Sequence, residues 1–358
     1  MSGEFFDDLC IEVQQIFRKT PAVLVGSGFS CGYGLPSMGG LGEHLSNNIE
    51  SRLNSINAKT LWRGVLGEVR KNLEAGLNTI SQGADGRDEV VSAVRQVTAE
   101  FIMDANALAE NNILEQSDVN SHAPVRLLRN IFNGAPQNTD YIPVITTNYD
   151  TLLELFCDLA AIPLDTGFTG LRRRRPRSGP IFQTNYSRVR VVEKKSQKIE
   201  HRPCKVVRLH KPHGSISWLD TDDGPIEVFD GHSKMARAIV VPGPSKYQDA
   251  LVNVLFDAMR TEMNGVISMA GALLCIGFGF NDDHLQGMIK SRLENRMPMI
   301  LLTRGATENI ENILKMHPHV IAFFKGENGG AICRWRGESV SSDLDLWALD
   351  DFLKTFVE

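Results

Sequence analysis

Four short clusters hold the side chains able to do chemistry, and each follows an apolar run. Gly26-Ser27-Gly28-Phe29-Ser30, with Gly34-Leu35-Pro36 just beyond, comes straight after Ala22–Val25. Glycines let a backbone turn sharply and approach a pyrophosphate, with amide N–H groups and the Ser27 and Ser30 hydroxyls as donors. A plain tight turn uses the same glycines. The spacing departs from G-x-G-x-x-G, since position 31 is Cys, and no Gly-Lys-Ser/Thr follows, which excludes a Walker A loop. The second cluster, Thr146-Thr147-Asn148-Tyr149-Asp150, closes the run that begins at Tyr141. Asn148 can orient a water and ribose hydroxyls together, and Asp150 can accept from a carboxamide N–H₂; both are equally good helix N-caps. The third is His213-Gly214-Ser215, after Lys205–Leu209. An imidazole can act as general base near pH 7, and the glycine gives a substrate room. His210 competes for that role, and either histidine could be structural; Lys211 reads as a surface charge or a nearby stabiliser. The fourth is Gly277-Phe278-Gly279 with Asp282, Asp283 and His284, after Ala272–Ile276. This second glycine loop could accommodate an adenosine ribose. The two aspartates and His284 lack further ligands at metal spacing, so no metal is expected.

The elements that position these clusters read as strands and helices in alternation. Apolar runs predict strands at Ala22–Val25, Tyr141–Thr147, Lys205–Leu209, Ala238–Val241, Ala272–Ile276, Met299–Thr303 and Val320–Phe324. Helical spacing marks residues 4–19, 151–159, 247–263 and 285–293, and an amphipathic helix closes the chain within 343–357. Residues 42–135 lack strand-like runs and are too long for one crossover helix, so they read as a mostly helical insertion. Residues 165–205 are polar and basic, an irregular or hairpin insertion. Short buried strands with short loops into helices predict an α/β fold: a Rossmann-like, doubly wound parallel sheet, whose ligands bind beyond the carboxyl ends of the strands.

Composition narrows the class without naming a partner. The chain has 358 residues, 42% hydrophobic and 23% charged, with a net charge of −5, the profile of a globular domain with an ample core. None of the six cysteines forms a C-x-x-C pair, so no zinc ribbon is expected. The acidic N-terminus is unlike a signal peptide and no run reaches a membrane span, so a reduced, cytoplasmic protein without membrane contact is expected.

The series strand–GSGFS–GLP, strand–TTNYD, strand–HKPHGS, strand–GFGFNDDHL resembles the sirtuin family, especially its bacterial sirtuin-like branch, across about residues 21–305. The resemblance implies a single sirtuin-like domain over 1–358. Gly26, Ser27, Gly28 and Ser30 would hold NAD phosphates, and Asn148 would position water and ribose. Asp150 would bind the nicotinamide carboxamide, and His213 would be the general base. Gly277 and Gly279 would border the adenosine ribose, with Thr303 close by. The chain departs from protein-deacylating sirtuins in two ways. Ser37-Met38-Gly39 follows Gly-Leu-Pro where those enzymes have Asp-Phe-Arg, and the four-cysteine zinc ribbon is missing. It looks instead like the sirtuin-like NADases of prokaryotic antiviral defence, such as those of Thoeris and those paired with HerA-type ATPases. The roughly 50 residues after 305 are too few for a further ligand-sensing domain, which favours the stand-alone type. The implied activity is NAD hydrolysis to nicotinamide and ADP-ribose, depleting NAD. The alternatives are an NAD-dependent protein deacylase and a non-enzymatic NAD- or ADP-ribose-sensing subunit. A homo-oligomer and a HerA-type partner are implied as well.

Residues 165–211 hold 14 Lys and Arg against three Asp and Glu, with Arg172, Arg173, Arg174, Arg175 and Arg177 at the centre. Such a run is either a solvated loop or an electrostatic dock for a protein partner, a second copy or nucleic acid.

Overall fold

The computed structural model describes residues 3–193, 196–229, 235–241 and 254–358. The chain opens with α1 (Gly3–Arg18), β1 (Ala22–Val25) and the short α2 (Ser27–Cys31). A helical stretch follows: α3 (Met38–Asn48), α4 (Ile56–Lys71), α5 (Leu73–Asn78), α6 (Arg87–Leu114) and α7 (Ala123–Gly134). Next come β2 (Tyr141–Thr146), α8 (Leu152–Ala160), β3 (Leu164–Asp165), β4 (Phe168–Thr169) and β5 (Arg175–Pro176). The hairpin of β6 (Tyr186–Glu193) and β7 (Ser196–Pro203) leads to β8 (Val206–His210), β9 (Gly214–Leu219), β10 (Ile226–Glu227) and β11 (Arg237–Ile239). The remainder is α9 (Val254–Met269), β12 (Leu273–Ile276), α10 (Asp283–Glu294), β13 (Met299–Thr303), α11 (Glu308–Met316), β14 (Ile321–Lys325), β15 (Ala331–Trp335), β16 (Glu338–Ser342) and α12 (Leu349–Phe356).

Nine strands form the main sheet in the order β16-β15-β14-β13-β12-β1-β2-β8-β3. Pairing is parallel from β14 through to β3, and only β15 and β16 run antiparallel. The six central strands, β8-β2-β1-β12-β13-β14, have the 3-2-1-4-5-6 order of the Rossmann fold. The order reverses between β1 and β12, so a crevice opens there at the carboxyl ends. β1 and β12 are buried along their whole length and read as unbroken apolar runs; β8 is equally buried although it carries Arg208 and His210. Side chains alternate between the two faces. Val23 and Val25 join Leu9 and Val13 of α1, Leu128 of α7, Phe156 of α8 and Phe352 of α12. Ala22 and Leu24 join Met263 of α9, Leu293 of α10 and Ile310 of α11. Helices thus cover both faces.

The stretch 42–135 is helical, and its apolar residues fall into two clusters. Leu45, Trp62, Val69, Leu77, Val90 and Val94 form one cluster, which Ile239 of β11 joins. Ile102, Ala109 and Ile113, further along α6, pack on the main sheet with α7. Within 165–205, β6 and β7 form the hairpin.

Two expected elements change. Ala238–Val241 is not a strand of the parallel sheet: β11 spans Arg237–Ile239 and pairs antiparallel with β9 in a small β10-β9-β11 sheet. Gly214 causes this. Its φ of +81° turns the chain back after β8, and a Cβ there would lie 2.1 Å from the Ala238 carbonyl oxygen. The described part of the helix expected at 247–263 is α9, which continues past 263 to Met269; residues 247–253 and Pro242-Gly243-Pro244 lie outside the described residues. β9, β15, β16 and α11 have no counterpart in the sequence reading.

Candidate active site

Two glycine loops meet where the strand order reverses. The amides of Gly26 and Gly28 donate to the carbonyls of Ile276 (2.9 Å) and Gly277 (3.0 Å). A Cβ on Gly26 would lie 2.5 Å from the Gly277 oxygen, and one on Gly28 would lie 2.8 Å from the Gly277 Cα. These glycines are therefore required by the contact between the loops, and the Gly26 and Gly28 amides are engaged within the protein instead of standing open to a phosphate. Gly277 itself has φ +62°. Gly279 accepts a bond from the Thr307 hydroxyl (2.7 Å), and Thr303, half-buried at the end of β13, donates to the Gly305 carbonyl (3.2 Å).

β2 and β8 are neighbours, with Ile145 opposite His210. Asn148 and His213 each lie three residues beyond that pair, so both sit past the carboxyl ends of adjacent strands. Asn148 is 9% exposed, Asp150 5% and Ser30 3%. The Asn148 Nδ2 donates to the Gly26 carbonyl (3.0 Å) and to Ser30 Oγ (2.8 Å). Ser30 in turn donates to Asp150 Oδ2 (2.7 Å), and Asp150 Oδ1 accepts from the Leu152 amide (3.2 Å). A carbonyl can only accept, and the one Ser30 proton goes to Asp150, so the amide side of Asn148 is fixed inward. Its Oδ1 is left to accept from a water or a ribose hydroxyl. Ser30 and Asp150, expected to meet phosphate and carboxamide, bond each other and through Ser30 support Asn148.

Burial pushes the Asp150 carboxyl above its ordinary range, opposed by Lys211. Lys211 is no surface charge: it is 1% exposed. Its Nζ donates to the Asp150 backbone carbonyl, to Glu154 Oε1 (2.8 Å) and to Ser215 Oγ (3.0 Å). All three ammonium protons are satisfied, and together they tie β8–β9 to the segment that carries Asn148.

The two histidines separate cleanly. His210 is fully buried against Phe182, with ring centroids 4.4 Å apart and no hydrogen bond to either nitrogen. Burial, with Arg208 adding, lowers its pKa to about 3, so it stays a neutral core residue. His213 is partly exposed, and its Nε2 lies 2.9 Å from Asp282 Oδ2. Asp282 had a place in the sequence reading only as a possible metal ligand; its signal as a partner for His213 was its position at the end of β12, beside the other site loops. The side chains of Asp283 and His284 lie outside the described residues. Among the described residues, no group of three or more His, Cys, Asp or Glu is placed to hold a metal.

The basic stretch is partly committed to structure. Arg177 makes a two-pronged pair with Asp165 (2.6 and 2.9 Å), and Arg174 pairs with Glu227. Burial raises the Glu227 carboxyl to about 7 against the pull of Arg174. A cavity of about 780 Å³ lies between this segment, β11 and α9, lined by Arg177, Arg237, Ile239 and Phe256; Asn148 and His213 do not line it.

The strand order defines a Rossmann-like α/β fold. Residues 143–319 match the family described as "SIR2-like domain". No curated protein matches the sequence. The chain is also similar to solved structures at low identity. One concerns the mechanism and regulation of Sir2 enzymes: 15% identity, 87% of this chain and 90% of that one covered, TM-score 0.40. Another is Sir2Tm bound to a propionylated peptide: 13% identity, 89% and 100% covered, TM-score 0.39. A third addresses sirtuin substrate affinity: 14% identity, 88% and 98% covered, TM-score 0.41. No described helix is long and apolar enough to cross a membrane.

Proposed function

We propose that the chain hydrolyses NAD to nicotinamide and ADP-ribose. The observation that carries this reading is the fixed Asn148, whose amide is held by Gly26 and Ser30 while its carbonyl oxygen is left to orient a water. Cleavage of the ribose C1′–N bond builds positive charge on the sugar, as in glycoside hydrolysis, and nicotinamide leaves with the bonding electron pair. Water adds at C1′ and gives up one proton. His213 is the acceptor: Asp282 on Nε2 favours the tautomer with its proton on that nitrogen, leaving the Nδ1 lone pair as the base. The proton then passes to solvent. Asp150 acts through Ser30, and Lys211 through the backbone it anchors. The crevice between β1 and β12 is the place for the dinucleotide, with Ser27, Gly279 and Thr303 along its rim. The resemblance extends the proposal to NAD depletion in antiviral defence, as a homo-oligomer with a HerA-type ATPase as regulator.

The test is nicotinamide release from NAD, measured with and without the co-purified partner and with and without an acylated peptide. Asn148→Ala and His213→Ala should each lower turnover by about 10²–10⁴-fold, with nucleotide binding better preserved. Equal turnover in all three proteins overturns the assignment. Peptide-dependent O-acyl-ADP-ribose would make the chain a deacylase, and tight NAD binding without release in the partner's presence would make it a sensing subunit.

A further inference from the structure

The β6–β7 hairpin is a ribbon of two eight-residue strands that pair with each other and, among the described residues, with no other strand. A two-stranded ribbon is marginal in water without a surface to pack on. Its register places Tyr186, Arg188, Arg190 and Val192 of β6 on one face with Ile199 and His201 of β7. Every one of these is exposed, Tyr186 by 60%, Val192 by 67% and Ile199 by 62%. That face carries no carboxylate. Glu200 is on the opposite face, paired with Arg202 (3.2 Å) and near Lys198. Among the described residues no ion pair engages Arg188 or Arg190. The ribbon therefore presents two guanidiniums followed by an apolar end, on a face that packs on nothing described.

Such a face fits an acidic, partly apolar partner, and the chain itself supplies one. Residues 165–211 are strongly basic while the whole chain is −5, so the rest of the molecule is acidic. It repels a nucleic acid and attracts the ribbon of another copy. On α1, Leu9, Val13 and Ile16 face the core, and Glu4, Asp7, Asp8 and Ile11 are exposed at i, i+3, i+4 and i+7, one stripe of the helix. Ile11 is 55% exposed; Asp8 also reaches Arg336 at 3.1 Å. The spacings agree. Arg188, Arg190 and Val192 succeed one another at about 7 Å along a strand. Glu4 and Asp8 are about 6 Å apart along a helix, with Ile11 about 4.5 Å further on.

We propose that the exposed face of the β6–β7 ribbon docks on the α1 stripe of a second copy of this chain, with Arg188 and Arg190 on the carboxylates and Val192 and Ile199 beside Ile11. Sedimentation velocity of the full chain tests this. Species larger than a monomer are expected at about 50 mM salt, weakened at least tenfold at about 500 mM, where exposed charges are screened. Arg188→Glu with Arg190→Glu should abolish assembly, as should Glu4→Lys with Asp8→Lys, and all four changes in one chain should restore it. Unchanged circular dichroism shows that each variant folds. A monomeric wild type at low salt overturns the proposal, as does assembly indifferent to the reversals. Failure of the combined variant to reassemble overturns the α1 stripe as the docking site. A monomer that binds a DNA duplex through Arg188 and Arg190 would identify the ribbon as a nucleic-acid arm instead.

Discussion

Ser30 has one proton, and its destination decides how Asn148 is used. Because that proton goes to Asp150, the hydroxyl must accept from Asn148, and the reactive side of the amide is chosen by a residue that need touch no substrate. Ser30→Ala removes this acceptor and strands Asp150 Oδ2 in a buried setting. Turnover should fall about 10–100-fold with KM nearly unchanged, since small errors in placing a catalytic group are expensive in rate. Steady-state nicotinamide release checks it; an unaltered kcat would show that Asn148 holds its orientation alone. The types and order of these residues were legible in the sequence, since Gly-Ser-Gly, Asn-x-Asp and His-Gly each follow an apolar run. Side-chain direction was not. Ser30 and Asp150 were assigned to ligand because both are polar at strand ends, and nothing in the string distinguishes an inward hydroxyl from an outward one. Lys211 shows the same limit from the other side, for a lysine is rarely buried without a partner and its partners Glu154 and Ser215 are distant in sequence or unremarkable in type.

At the scale of elements, the junction between the β1 and β12 loops depends on absent side chains. Gly26→Ala would drive a methyl into the backbone of Gly277 and Phe278, where no flexible group can yield. The expected loss is about 2–4 kcal/mol, above the usual range for overpacking because the obstacle is main chain. Gly64→Ala is the control: Gly64 lies inside α4 with nothing within 4 Å of the added carbon, so helix propensity should make it neutral or stabilising by up to about 1 kcal/mol. Denaturant midpoints of the two variants give the comparison, and equal midpoints would mean that the loops move apart at little cost. Strands buried on both faces were the readable elements, because burial writes them as continuous apolar runs. β15 alternates buried and half-buried residues, and β16 is largely exposed, so neither shows such a run. β9 is fully buried yet begins Gly-Ser-Ile-Ser, and its hydroxyls serve the Lys211 network instead of marking a loop.

The whole molecule is held together by a helix that belongs to two places. α6 is 28 residues long. Val90, Val94 and Val97 near its start lie in the helical cluster, and Ile102, Ala109 and Ile113 lie against the main sheet. In the sheet-packed half, Asn106 bonds the Thr151 amide (3.0 Å) and hydroxyl (2.9 Å), one residue past Asp150. The helical stretch was readable from its periodicity, but its division between two cores was not, since both halves show the same spacing. A continuous helix packed in both cores couples the unfolding of one to that of the other. Scanning calorimetry should therefore give one endotherm, with a van't Hoff enthalpy equal to the calorimetric one; two resolved peaks would show that α6 hinges. It follows that residues 42–135 are poorly suited to excision as a cassette, because a cut on either side would leave half of a shared beam without its wall.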